Sequence, residues 1–114
     1  MAILDTAFEE TLTSNGNTAE FVHHGGELLV GVQGNHGTGS PVATLQASFD
    51  GGTTWGTATD IVTGNTLVVS GGTTGAAYGG SFSFPPCRVR FNLAGSISPS
   101  LGLYAARANG PRVQ

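Results

Sequence analysis

Apolar and polar positions alternate along much of this chain. The clearest run is Cys87-Arg88-Val89-Arg90-Phe91-Asn92-Leu93, with Val89, Phe91 and Leu93 on one face and Arg88, Arg90 and Asn92 on the other. A period of two marks a strand with one buried face. Val42 to Phe49 repeats it, with Ala43, Leu45, Ala47 and Phe49 facing one way and Val42, Thr44, Gln46 and Ser48 the other. Glu27 to Gln33 has Leu28, Val30 and Val32 on one face and Leu29 and Gly31 on the other, which predicts a mostly buried strand. Leu101 to Ala105 predicts the last strand. Ala7 to Thr13 (apolar at Phe8 and Leu12), Thr18 to His24, Leu67 to Val69 and Ser81 to Phe84 predict weaker or shorter ones, the last halted by Pro85-Pro86.

The spaces between these runs are filled with turn residues: Ser14 to Asn17, Gly25-Gly26, Gly64-Asn65 and Gly95 to Pro99. Two longer stretches, Gly34 to Pro41 and Gly71 to Gly80 (broken only by Tyr78), read as flexible loops of the kind that order against a partner. Nineteen glycines beside many Thr, Ser and Asn leave little room for helix. The expected fold is therefore all-β: one antiparallel β-sandwich or small barrel over residues 1–114, with seven or eight short strands. Jelly-roll and immunoglobulin-like topologies both fit this spacing. Residues 1–6 would form an N-terminal arm and 108–114 a polar tail.

Charge narrows the function classes. Four arginines, no lysine and seven acids give a net charge of −3, so the chain has no electrostatic footprint for nucleic acid or an anionic membrane. No apolar run approaches membrane-spanning length, and the start Met-Ala-Ile-Leu-Asp lacks the basic region and apolar core of a signal peptide. A soluble product of a cytoplasm is expected. A single cysteine, Cys87, excludes an internal disulfide framework and a cysteine-based zinc site.

Candidate chemistry is sparse. His23 and His24 are adjacent on a strand and so point to opposite faces, and His36 alone cannot complete a ligand set, so no metal and no cofactor is expected. Glu9 and Glu10 diverge for the same reason and do not form the facing pair of a glycoside hydrolase. The glycine-rich loops lack the Gly-Lys-Ser/Thr ending of a phosphate-binding loop, and no Gly-x-Ser-x-Gly elbow occurs. Arg88 and Arg90 share a strand face and could grip a carboxylate or phosphate. Catalysis is not expected.

One local motif stands out. Ser48-Phe49-Asp50-Gly51-Gly52-Thr53-Thr54-Trp55 joins the Val42 to Phe49 run to a Thr-rich return strand expected to reach about Thr63, through an Asp able to accept turn amides and two glycines free to take positive φ. Trp55, the only tryptophan, is expected to pin this hairpin onto a core. Ser48, Asp50, Gly52, Thr54 and Trp55 fill every specified position of the Asp box, which this segment resembles. In sialidases that box recurs as a folding hairpin remote from the active site, so a single copy implies a stabilised hairpin rather than that enzyme.

The chain as a whole resembles small structural proteins of tailed-bacteriophage virions. The resemblance is carried by Ala43 to Trp55, by Arg88-Val89-Arg90-Phe91-Asn92-Leu93-Ala94-Gly95, and by the lysine-poor, Gly/Thr-rich composition. It implies a non-enzymatic virion protein, foremost a capsid decoration (cement) protein on the outer shell, with head–tail connector, tail or fibre components as alternatives. The implied partners are the major capsid protein or another virion protein. Missing lysine edge guards add an expectation of self-association, in a closed trimer. With so few charges, attachment should rest on β-augmentation and apolar contact. Met1, Ile3 and Leu4 are candidates for a docking arm, and Tyr78, Arg88 and Arg90 for further partner contacts. A carbohydrate-binding or adhesion module is the reading from another class, with Tyr78 and Tyr104 as the residues able to stack on sugars.

Overall fold

Residues that disfavour helix leave the chain extended, and among the described residues it folds into ten strands and no helix. The computed structural model describes residues 7–59, 61, 64, 68–70 and 77–107, and at 7, 68–70, 77 and 78 the backbone alone. The strands are β1 (Ala7–Leu12), β2 (Gly16–Asn17), β3 (Phe21–His23), β4 (Gly26–Asn35), β5 (Thr38–Ser48), β6 (Gly56–Thr57), β7 (Val68–Ser70), β8 (Ala77–Phe84), β9 (Cys87–Ile97) and β10 (Ser100–Arg107).

They form two antiparallel sheets. One has the order β1-β10-β4-β8. In the other, β9 and β5 are central; β2 and β3 share the position beyond β9, and β6 and β7 share the position beyond β5. The ten segments thus fill eight positions, four per sheet. Position one pairs with eight, two with seven, three with six and four with five. Apart from the β5–β6 hairpin, passage from one position to the next changes sheet. That is the jelly-roll order, and it decides between the two topologies that the sequence left open.

The core lies between the sheets and is built from the alternating faces. Leu28, Val30 and Val32 of β4 and Leu101, Leu103 and Ala105 of β10 meet Val89, Phe91 and Leu93 of β9 and Ala43 and Leu45 of β5. One long flank is closed by aromatic packing: Phe8 of β1 stacks on Phe21 of β3 at 4.4 Å, and both lie against Phe91. The junction of β2 and β3 stays tied to β9 through Thr18. Its amide donates to the Phe91 carbonyl, and its hydroxyl accepts from the Phe91 amide, both at 3.0 Å.

Both glycine-rich stretches differ from expectation. Gly34 to Pro41 is not a flexible loop: β4 runs through Asn35 and β5 resumes at Thr38. Glycine here allows close backbone approach rather than freedom, since a Cβ on Gly37 would collide with the Ile97 carbonyl. In the second stretch, residues 77–80 are strand and 71–76 lie outside the described residues. Gly16 and Asn17, expected in a turn, make a short ladder with β9. The return strand expected to reach Thr63 is ordered as strand only at Gly56–Thr57, with Ile61 in a turn; Val62, Thr63 and Leu67 lie outside the described residues. Phe49 does not follow Ala43 and Leu45 into the core. It is 66 % exposed, and Ser48 is buried instead, because the strand pleat ends where the hairpin begins.

Candidate functional site

The Ser48–Trp55 hairpin is a closed set of local hydrogen bonds. The Ser48 hydroxyl donates to Asp50 Oδ1 at 2.7 Å and accepts from the Gly52 amide at 2.9 Å. The same Asp50 oxygen accepts from the amides of Thr53 (3.1 Å) and Thr54 (2.8 Å). Trp55 Nε1 donates back to the Gly52 carbonyl at 3.0 Å. Gly52 has φ +96°, a value that a side chain rarely adopts, and a Cβ there would also press on Glu20 Oε1. Hydrogen bonds from the Thr54 amide, the Ser48 hydroxyl and the Thr54 hydroxyl pull the Asp50 pKa down to about 2. All of this carboxylate chemistry is spent on the turn itself.

Trp55 corrects an expectation. It is half-buried and lies outside the core, on the outer face of the β9–β5 sheet. There the Arg90 guanidinium sits 4.1 Å from the centre of its ring and donates from Nε to Gln46 Oε1 at 2.7 Å. The reason is register. Gln46 and Arg90 are opposite each other on the polar face, and the hairpin folds its last residue back over that face. Arg88 is on the same face, 3.4 Å from Glu20. Both arginines are thus engaged within the chain, and one side of the indole is covered.

The histidines do not converge. His23 is buried; its Nε2–H donates to the Gly26 carbonyl at 2.9 Å, and the ring meets Phe84 edge-on at 6.4 Å. His24 is exposed on the opposite side. His36 is at the other end of the sandwich, donating from Nδ1 to the Gly37 carbonyl at 3.1 Å. Among the described residues no three His, Cys, Asp or Glu side chains come together. Glu9 and Glu10 diverge, and Glu10 accepts the Ala19 amide at 3.0 Å. Cys87 is buried at the start of β9, where burial raises its pKa to about 11 and keeps the thiol neutral.

Among the described residues, the flank opposite the Phe8–Phe21 stack holds a cleft rather than an aromatic stack. An apolar cleft of about 420 Å³ lies there between the hairpin and β8, lined by Ala47, Phe49, Thr57, Ala58 and Phe84. Phe49 stands over it, edge-on to Phe84 at 6.2 Å. This surface could not be read from alternation alone, which assigned Phe49 to the core. Of the other residues expected at a partner contact, Tyr78 lies on β8 opposite Val32, and Met1, Ile3 and Leu4 fall outside the described residues. Tyr104 is on β10, with its ring folded over Gly102 of the same strand.

Comparison with family models, with curated proteins and with solved structures gives no match for this chain.

Proposed function

We propose that this chain is a non-enzymatic virion structural protein that binds the outer shell of a tailed-phage capsid as a decoration protein. The observation that carries the reading is the jelly-roll strand order, an architecture used for viral capsid and lectin domains as well as cupins, on a chain whose sequence resembles phage structural proteins. Its polar side chains support the same reading. The carboxylate of Asp50 is used in its own turn, and Arg88 and Arg90 are paired within the sheet. Among the described residues, Phe49 with its cleft on one flank, and Val22 and Ile97 elsewhere, are exposed apolar side chains. Attachment to a major capsid protein would therefore be made by apolar burial and strand pairing.

The direct test is to add purified protein to expanded shells that lack it and image the particles. Ordered density at symmetry-related positions is the expected result, with a higher disruption temperature for the decorated shells. Shells that remain bare at saturating protein would reject the reading. A second reading, a carbohydrate-binding module, is favoured by one observation: Trp55, Arg90, Gln46, Asn92 and Asn17 share the outer face of one sheet. Trp55 is the only tryptophan, so glycan binding on that face would change the intrinsic fluorescence. No change across a panel of glycans would remove this reading.

A further inference from the structure

Tyr104 of β10 lies on the outer face of the β1-β10-β4-β8 sheet, directly opposite Glu9 of β1 and Gly31 of β4. Two residues earlier, Gly102 is opposite Thr11 and Gln33 on the same two strands. Residues two apart on a strand share a face, as do directly opposed residues, so all six belong to this face. The Tyr104 ring does not stand off the sheet. It lies along β10 with its hydroxyl end over Gly102, where a Cβ would meet the ring carbon Cζ at 2.8 Å. Glycine at 102 makes room for the ring and is buried beneath it. The ring itself is 39 % exposed, and Glu9, Thr11 and Gln33 around it are exposed as well. Among the described residues, none of these four side chains is spent on a hydrogen bond within the chain. Beside the ring the sheet is hollow: Gly31 and Ala106 leave an apolar depression of about 270 Å³, bounded by Leu29, Tyr104 and Glu9. That is just below the usual range of small-molecule sites, about 300–1,000 Å³, and suits a single ring rather than a large ligand.

We propose that this face binds a neutral glycan, with one hexopyranose ring laid on Tyr104 and the depression beside it, and its hydroxyls hydrogen-bonded by Glu9, Thr11 and Gln33. A pyranose has a ring face of C–H groups and a rim of hydroxyls. It needs an apolar platform with polar groups at the margin, and both are present here. Tyrosine supplies the platform at low entropic cost, because two torsions fix it and the packing on Gly102 already restricts them. At the margin the Glu9 carboxylate accepts from hydroxyls, while the Gln33 amide and the Thr11 hydroxyl each donate and accept. Charge selects a neutral sugar, since a uronate or sialate would set its carboxylate against Glu9. Trp55 and Arg90 are on the outer face of the other sheet, so this site is separate from any glycan binding there. It does not depend on capsid attachment.

The test is an NMR titration of the full nitrogen-15-labelled chain with cellotetraose, maltotetraose, mannotetraose and chitotetraose, and with tetragalacturonate as the acidic probe. At least one neutral oligomer should shift the Gly31 and Gly102 amides and the Gln33 side-chain amide saturably. The Trp55 indole should not move, and tetragalacturonate should have no effect. Tyr104→Ala should weaken the binding about tenfold, the scale of one lost aromatic contact, and Tyr104→Phe should retain it. Gln33→Ala, a change at an exposed position, should also weaken it and decides the matter if Tyr104→Ala fails to fold. No saturable shift with any neutral oligomer, shifts confined to the Trp55 face, equal binding of tetragalacturonate, or unchanged affinity in a folded Tyr104→Ala would each overturn the proposal.

Discussion

At the scale of single residues, the hairpin depends on one carboxylate that must be ionised. The Asp50 pKa lies near 2, against 3.8 for a free carboxyl. A group whose pKa is lowered by folding contributes stability that is fully present above its unfolded pKa and is lost as pH falls toward the folded one. The acid-induced drop in thermal midpoint between about pH 4 and pH 2 should therefore be shallower in Asp50→Asn than in the wild type. Parallel curves for the two proteins would show that the turn carboxylate carries no linkage. Trp55 and Phe91 form a second contrast. Phe91 is fully buried between the sheets, so Phe91→Ala should cost roughly 3–5 kcal/mol. Trp55 rests half-buried under Arg90, and Trp55→Ala should cost only about 1–2 kcal/mol, the scale of one cation–π contact plus partial burial. Urea denaturation followed by circular dichroism measures both, and equal losses would place Trp55 in the core after all.

Among the elements, the glycine-rich ends of the strands matter through proximity. Gly95 in β9 has φ +72°, and a Cβ there would run into the Ser40 carbonyl of β5. Gly51 in the hairpin has φ +80° with nothing within 4 Å of the same position. Alanine at either site meets the left-handed penalty of about 1–2 kcal/mol, but only Gly95→Ala must also push two strands apart. Gly95→Ala should thus lower the denaturation midpoint clearly more than Gly51→Ala. A similar loss at both would mean that backbone conformation, not strand proximity, sets the cost. Close approach also accounts for the side-chain clasp beside it, where the Asn15 amide group bonds both the Ser96 amide (2.9 Å) and the Ser96 carbonyl (3.0 Å).

For the whole molecule, charge is scarce. The net charge is −3, and Arg88 and Arg90 are held by Glu20, Gln46 and Trp55. Binding through Phe49, its cleft and strand edges buries apolar area, which salt does not screen, while exposed ion pairs weaken as the Debye length shrinks. Decorated shells washed in rising sodium chloride should keep their occupancy up to about 1 M. Release at moderate salt would reject an apolar grip and direct attention to Arg88 and Arg90.

The amino-acid order by itself determined the all-β class and the inward and outward faces at the centres of the long strands. Val89, Phe91 and Leu93 inward with Arg88, Arg90 and Asn92 outward follows from the pleat, as do the divergence of His23 from His24 and the all-β class. A side chain's direction within a strand is local, and so it is written in the local pattern. Which strand lies beside which is not local. The jelly-roll order depends on pairings such as Ala7 with Ala106, between residues almost a chain length apart, and it was decided only when both sheets closed on one core. The same holds for the glycines of Gly34 to Pro41, whose closeness to β9 and β10 exists only in the folded sheets. It holds as well for Trp55 and Phe49, at the end of a strand where the pleat stops and the hairpin's own hydrogen bonds set direction. Composition shows that the chain lacks lysine, but only the tertiary structure shows which strand lies beside which, because a strand's neighbours are set when the sheets close on the core.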